Sequence, residues 1–362
     1  MVFWKANFSR LIRRCGNRQI VAMGLFSFAL LVPVKATAAT FSNLFVFGDS
    51  LSDSGNSFEA TGGAIPPSPP YFNGRFTNGL NWVDYLAQDL DLEVDRFVED
   101  PAPTAGVNFA FGGATTGSAN TAALTFPQIP DLPGLQQQID AFALPLIQAN
   151  RVADPDALYV LWAGANDYLP TEGSFEPFDE PSTPLSNLSN ALTTLAGVGA
   201  KNILVANLPD LGNVPVSIAQ EQAVPGTVAE LNALTEAHNS GLSALLDELE
   251  GNLSSDVNLI SLDVNSLFAR AVAEPSEFGF AEVTIPCLAV QACVSSTQEQ
   301  QNTFLFWDEQ HPTTAGHRYV ADTALATLES ETAVSVPEPV SVLSLFAVGA
   351  FGAGALLKRH TS

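Results

Sequence analysis

The residue that most invites a chemical reading is a serine at the end of an apolar run. Ser50 follows Asn43-Leu44-Phe45-Val46-Phe47 within Gly48-Asp49-Ser50-Leu51. A serine hydroxyl is a weak nucleophile at neutral pH. To attack a carbonyl it needs an imidazole in reach, a group that orients the imidazole, and donors aimed at the developing oxyanion. If the apolar run is a strand, Ser50 stands at its C-terminal end, where ligands collect in open α/β sheets. Ser52 and Ser54 compete with it, and a capping or turn serine is the non-catalytic alternative. The G-x-S-x-G elbow of α/β-hydrolases is absent, because residue 52 is Ser.

The wider run Gly48-Asp49-Ser50-Leu51-Ser52-Asp53-Ser54-Gly55-Asn56 resembles the first block of the GDSL, or SGNH, hydrolases. The resemblance continues through Asn108-Phe109-Ala110-Phe111-Gly112-Gly113-Ala114-Thr115, Gly164-Ala165-Asn166-Asp167 and Trp307-Asp308-Glu309-Gln310-His311-Pro312-Thr313. It implies Ser50 as nucleophile, His311 as general base and Asp308 as the carboxylate that fixes its tautomer. It also implies an oxyanion site made by the Ser50 and Gly113 backbone N–H groups and the Asn166 side chain, with Gly112 a close rival of Gly113. Glycine suits a backbone that must approach substrate closely, although two turn glycines would look the same. Asn166 follows another apolar run, 158–162, which would place it on the same rim as Ser50. Among the four histidines, His238 and His317 fall in helical patterns and read as surface or packing residues, and His360 lies in the C-terminal tail. Asn73-Gly74-Arg75-Phe76-Thr77-Asn78-Gly79 with Trp82 also resembles an early loop of the family, so the likeness spans about residues 43–328.

These groups need a scaffold. Short apolar runs bounded by turn residues occur at 44–47, 107–109, 158–162, 203–206 and 257–262. Such runs suit parallel strands covered on both faces. Helical patterns at 185–198, 228–249 and 315–328 alternate with the later runs, which implies βαβ crossovers. The expected fold is α/β: a three-layer α/β/α sandwich around a mostly parallel five-stranded sheet, with the flavodoxin-like architecture of SGNH hydrolases. Residues 60–73 and 171–184 read as long loops, either facing substrate or running over the surface.

The ends read differently from the body. Residues 1–38 carry six basic residues and no acid, an apolar stretch at 20–34, and Ala36-Thr37-Ala38. This is the pattern of a secretory signal peptide, the alternative being a membrane anchor. The order Pro337-Glu338-Pro339, an apolar run at 340–357 and Lys358-Arg359-His360 resembles the PEP-CTERM sorting signal. That likeness implies an exosortase-type partner besides the export machinery, the alternative being a permanent transmembrane helix. The expected organisation is a signal peptide at 1–38, a hydrolase domain at 39–333 and a sorting or anchor segment at 334–362. The protein would then act at the cell surface or outside a bacterium.

The segment 39–336 keeps six basic residues against 37 acidic ones, a formal charge of −31. Such a body repels nucleic acid and anionic lipid, which excludes one class of partner. Cys287 and Cys293, in a chain bound for an oxidising compartment, read as a short-loop disulfide. A metal site would need further ligands nearby, so neither metal nor cofactor is expected. The functional expectation is an esterase or lipase acting on a small-molecule or lipid ester, including phospholipid. A carbohydrate O-acetyl esterase and a non-catalytic surface protein on the same fold are the alternatives. A flavin-binding protein on the same sheet ranks last.

Overall fold

The computed structural model describes residues 40–98, 106–125, 128–129, 131–169 and 174–335. Six strands form one sheet in the order β2-β3-β1-β4-β5-β6. They are β1 (Leu44–Gly48), β2 (Val94–Arg96), β3 (Gly106–Asn108), β4 (Leu158–Trp162), β5 (Asn202–Ala206) and β6 (Asn258–Leu262). Every pairing is parallel. The expected count of five strands is therefore corrected to six. The addition, β2, is a three-residue edge strand with an exposed Asp95 at its centre. It has neither the length nor the apolar run by which a covered strand is recognised.

The central strand β4 is buried along its whole length, which explains its unbroken apolarity. Alternate side chains feed two layers. Leu44 and Val46 of β1, Leu158, Val160 and Trp162 of β4, and Leu204 and Ala206 of β5 pack with Trp82, Leu86, Phe268, Val320 and Ala324. Those partners come from the helices Trp82–Asp89, Val264–Ala273 and Thr314–Ser335. Phe47, Tyr159, Leu161, Ile203 and Val205 face the opposite way, onto Leu135, Ile139, Leu188, Leu192, Leu242 and Leu246. These belong to Leu135–Gln148, Ser182–Gly197 and Thr227–Asn252. The result is the expected three-layer sandwich, and the three expected helices are present with slightly longer bounds.

The strand order sets the position of the crevice. From β1 the chain builds β2 and β3 on one side and β4, β5 and β6 on the other, so β1 lies at a topological switch point. Gly48, the last residue of β1, is opposite Trp162 of β4. A Cβ there would collide with the Trp162 carbonyl, so glycine is needed for close approach rather than for a turn. Past this point the buried Gln138 takes over the ladder. Its Oε1 accepts from the Gly48 N–H at 2.9 Å, and its Nε2 donates to the Gly48 carbonyl at 2.8 Å.

The expected signal peptide, the apolar run at 340–357 and the basic tail lie outside the described residues. Among the described residues no helix is long and apolar enough to cross a membrane.

Candidate active site

The three motifs that follow β1, β3 and β4 meet at the crevice, and a fourth arrives from just before the last helix. Asp53 joins the first two. Its Oδ1 accepts from the backbone N–H groups of Gly55 and Asn56, and its Oδ2 accepts from those of Ser57 and Gly112. Asn56 Nδ2 donates to the carbonyls of Asn108 and Ala110, and Asn108 Nδ2 donates to the Ser52 carbonyl and Ser54 Oγ. A buried polar network of this kind is tolerated only when its members are satisfied, and here it fixes the turn carrying Ser50 against the turn carrying Gly113. Ser52 and Ser54 have structural partners: Ser52 Oγ accepts from Trp82 Nε1 at 3.2 Å, and both serines are buried.

The third motif is tied to the second in the same way. Asp167 accepts from the Thr116 N–H at 2.8 Å and the Thr116 hydroxyl at 2.7 Å. Burial raises its carboxyl to about 6 despite those bonds. Asn166 Nδ2 donates to the Ala114 carbonyl at 3.0 Å, which orients the amide and leaves its second hydrogen for another acceptor. Tyr168 anchors the motif from behind through its hydroxyl, 2.8 Å from His238 Nδ1.

The two neighbouring glycines are not equivalent. The Gly112 N–H is already held by Asp53 and Ser57. Gly112 is also pressed under the Phe76 ring, where a Cβ would collide. Gly113 has φ 78, and a Cβ on it would lie 2.6 Å from the Ala122 nitrogen. Among the described residues neither the Gly113 N–H nor the Ser50 N–H meets an acceptor. Of the two, Gly113 therefore keeps a donor available.

The fourth motif forms a tight turn, closed by the Trp307 N–H on the His311 carbonyl at 2.8 Å. Asp308 Oδ1 accepts from the N–H groups of Gln310 and His311, both at 2.8 Å. The His311 ring spans the site. Its Nδ1 lies 2.8 Å from the Asp308 carboxylate, and its Nε2 lies 2.7 Å from Ser50 Oγ. Burial alone would lift the Asp308 carboxyl and depress the imidazole. The attraction and hydrogen bond between the two reverse both tendencies, leaving Asp308 below the usual carboxylate range and His311 above the usual imidazole value. Asp49 adds to the upward pull on His311. Asp49 is itself buried with one oxygen lacking a partner, and burial raises it to about 7.

Sequence reasoning missed the residue that completes Asp308. The Tyr71 hydroxyl donates to Asp308 Oδ2 at 2.7 Å from the proline-rich loop. Tyr71 packs edge-on against Phe76, whose ring centroid is 5.1 Å from that of His311. The 73–79 run fastens this loop to the chain that follows His311. Thr77 donates to the Pro312 carbonyl at 2.8 Å, and Asn78 Oδ1 accepts from the Thr314 N–H at 2.8 Å. Ala64, Ile65 and Pro66 of the same loop line a wide cleft over Ser50 and His311, so this loop does face the site. Of the second long loop, Phe178 packs its ring against the core, and its backbone N–H donates to the Asp167 carbonyl at 2.8 Å.

His238 and His317 are both buried, so of the two readings offered for them the packing one applies and the surface one does not. Burial holds them down to about 4 and about 3 respectively, so both stay neutral near pH 7. The Cys287 and Cys293 sulfurs are bonded, and the pair packs against Trp307 and Tyr71, on either flank of Asp308.

Comparison with known proteins identifies the family. The profile of the GDSL-like Lipase/Acylhydrolase family matches residues 44–324. A phosphatidylcholine-sterol acyltransferase of Aeromonas hydrophila is 28% identical over 346 residues, covering 84% of this chain and 95% of its own. A thermolabile hemolysin of Vibrio parahaemolyticus is 28% identical over 303 residues, covering 78% of this chain and 63% of its own. A GDSL esterase/lipase of Arabidopsis thaliana is 27% identical over 341 residues, covering 83% and 90%. This chain belongs to the GDSL lipase/acylhydrolase family and is a serine hydrolase acting on ester bonds.

Proposed function

We propose that Ser50, His311 and Asp308 form the catalytic triad of a carboxylic ester hydrolase, with Ser50 N–H, Gly113 N–H and Asn166 Nδ2 as the oxyanion donors. The observation that carries this reading is the unbroken chain Asp308–His311–Ser50, with 2.8 Å and 2.7 Å links. His311 Nε2 takes the Ser50 proton as Oγ attacks the ester carbonyl. The tetrahedral oxyanion meets the three donors, and His311 then returns the proton to the leaving alcohol. Water, activated by the same imidazole, releases the acyl group. Asp308 keeps the imidazole in the tautomer with Nε2 free and stabilises the imidazolium.

The substrate class proposed is an ester with an apolar acyl group, phospholipids included. The name of the Aeromonas relative makes transfer to an alcohol, in place of water, a second outcome to assay. We also propose that the body is exported by residues 1–38 and sorted by 334–362. The bonded Cys287–Cys293 pair suits an oxidising compartment, and deleting residues 1–38 should trap the protein inside the cell.

Ser50→Ala should abolish both chromogenic ester hydrolysis and fluorophosphonate labelling. Ser52→Ala and Ser54→Ala should still be labelled. Labelling retained in folded Ser50→Ala would place the nucleophile elsewhere.

A further inference from the structure

Two spaces meet at Ser50. One is the wide cleft beneath the proline-rich loop. The other is a narrower pocket, walled by Leu51, Trp162, Leu169, Leu211 and Val214 and reaching Phe268 and Phe306. Asn166, Gln310 and His311 line both spaces, so they mark the mouth of the narrow one. Asp49, its remaining polar wall residue, is the neighbour of Ser50. The rest of the lining is apolar apart from the Trp162 indole N–H, which is buried without a partner. Phe268 and Phe306 also bound a second, small space, and Phe268 bounds a third beside Phe278, Phe280 and Tyr319. Phe268 is thus a partition common to three spaces.

We propose that the narrow pocket holds the straight acyl chain of the ester, and that Phe268, with Phe306, sets the longest chain accepted. The proposal rests on Ser50 being the nucleophile, since it names what the acyl-enzyme carries. The acyl chain stays on Ser50 after the alcohol leaves, so it needs a site that shelters it from water. The alcohol needs an open exit beside His311, which the wide cleft provides. A mainly apolar wall rewards each buried methylene and disfavours charged acyl groups. Where the chain meets the Phe268 ring, further methylenes gain nothing unless the ring moves. Phe268 sits on the helix Val264–Ala273, which supplies none of the triad or oxyanion groups, so changing it tests length selection separately from chemistry.

The test is the kcat/KM profile over nitrophenyl esters from acetate to palmitate, read as ratios between chain lengths within each protein. For the wild-type protein, kcat/KM should climb by up to about four-fold per methylene and then break. Phe268→Ala should move the break to chains longer by two or more carbons. Val214→Phe, which narrows the same pocket, should move it to shorter ones. Phe268→Leu gives the first reading if the alanine variant does not fold. A wild-type profile without a break, or a break that stays in place in the folded variants, would overturn the proposal. If Ser50→Ala is inactive on every ester in that case, the triad reading stands and only the chain-length assignment falls. If Ser50→Ala still turns over these esters, both fall.

Discussion

Tyr71→Phe removes one oxygen and leaves the ring, so the variant isolates the hydrogen bond to Asp308. The Asp308 carboxylate is buried and is satisfied by four donors: two backbone N–H groups, His311 Nδ1 and the Tyr71 hydroxyl at 2.7 Å. A hydrogen bond to a charged group contributes about 1.5–3 kcal/mol. The bond also fixes the angle at which the Asp308 carboxylate meets His311, and turnover depends on that orientation. We expect kcat to fall about ten-fold, equivalent to about 1.4 kcal/mol, with KM unchanged within about two-fold. The remainder should appear as lost stability, about 2–4 °C in Tm for each kcal/mol. The pH profile supplies a reading that a purely structural role would not move. Under the proposed mechanism His311 must be neutral to act, and its value lies above the ordinary imidazole value, so activity should rise with pH through an acid limb higher than about 6.5. Without the tyrosine donor, Asp308 presents more charge to His311 and the limb should move further up. Steady-state kinetics across pH, with calorimetry on both proteins, decides the matter. Unchanged kcat with superimposed pH profiles, or a raised KM at constant kcat, would refute the reasoning and make Tyr71 only a wall of the cleft.

Two further outcomes follow from the same geometry. Asn166→Ala should cut kcat by hundreds-fold, since losing one oxyanion donor costs about 3–4 kcal/mol, while Tm changes little; near-normal turnover would remove Asn166 from the oxyanion site. Asp49→Asn should stabilise the protein in a pH-dependent way. The folded state holds the Asp49 proton up to about 7 while the unfolded chain releases it near 3.8, so stability is lost as pH rises between those values. The variant's gain in Tm should therefore be present at about pH 8 and vanish near pH 4, and an equal gain at both would show that Asp49 does not titrate this way.

The elements that were legible in the sequence are those whose signal is local. β4 could be bounded from its own five apolar residues, because a strand covered on both faces has nothing else to show. β2 could not, being a half-covered edge of three residues with a charged residue at its centre. The helix Trp82–Asp89 did carry a readable mark, the Asn81 and Asp84 capping box, but Trp82 was read with the preceding loop. The interior Pro145 disguised Leu135–Gln148. At the site, Ser50, Gly113, Asn166, Asp308 and His311 stand in short motifs. Tyr71 does not, for its partner is 237 residues away and nothing around it in sequence marks the bond. Gln138 reads as one more polar position on an amphipathic helix, and its role at the end of β1 exists only after packing.

The distance in sequence between the halves of the site has a consequence for when activity can begin. Ser50 and His311 are 261 residues apart, and the Thr77 and Asn78 bonds that seat the base bridge 235 and 236 residues. Contacts so distant in sequence form only once nearly the whole body has been made. A chain in which residues 308–314 have not yet docked can build most of the sheet and expose Ser50, yet Ser50 then has no imidazole beside it. Under the proposed mechanism, activity therefore begins only when this last turn docks.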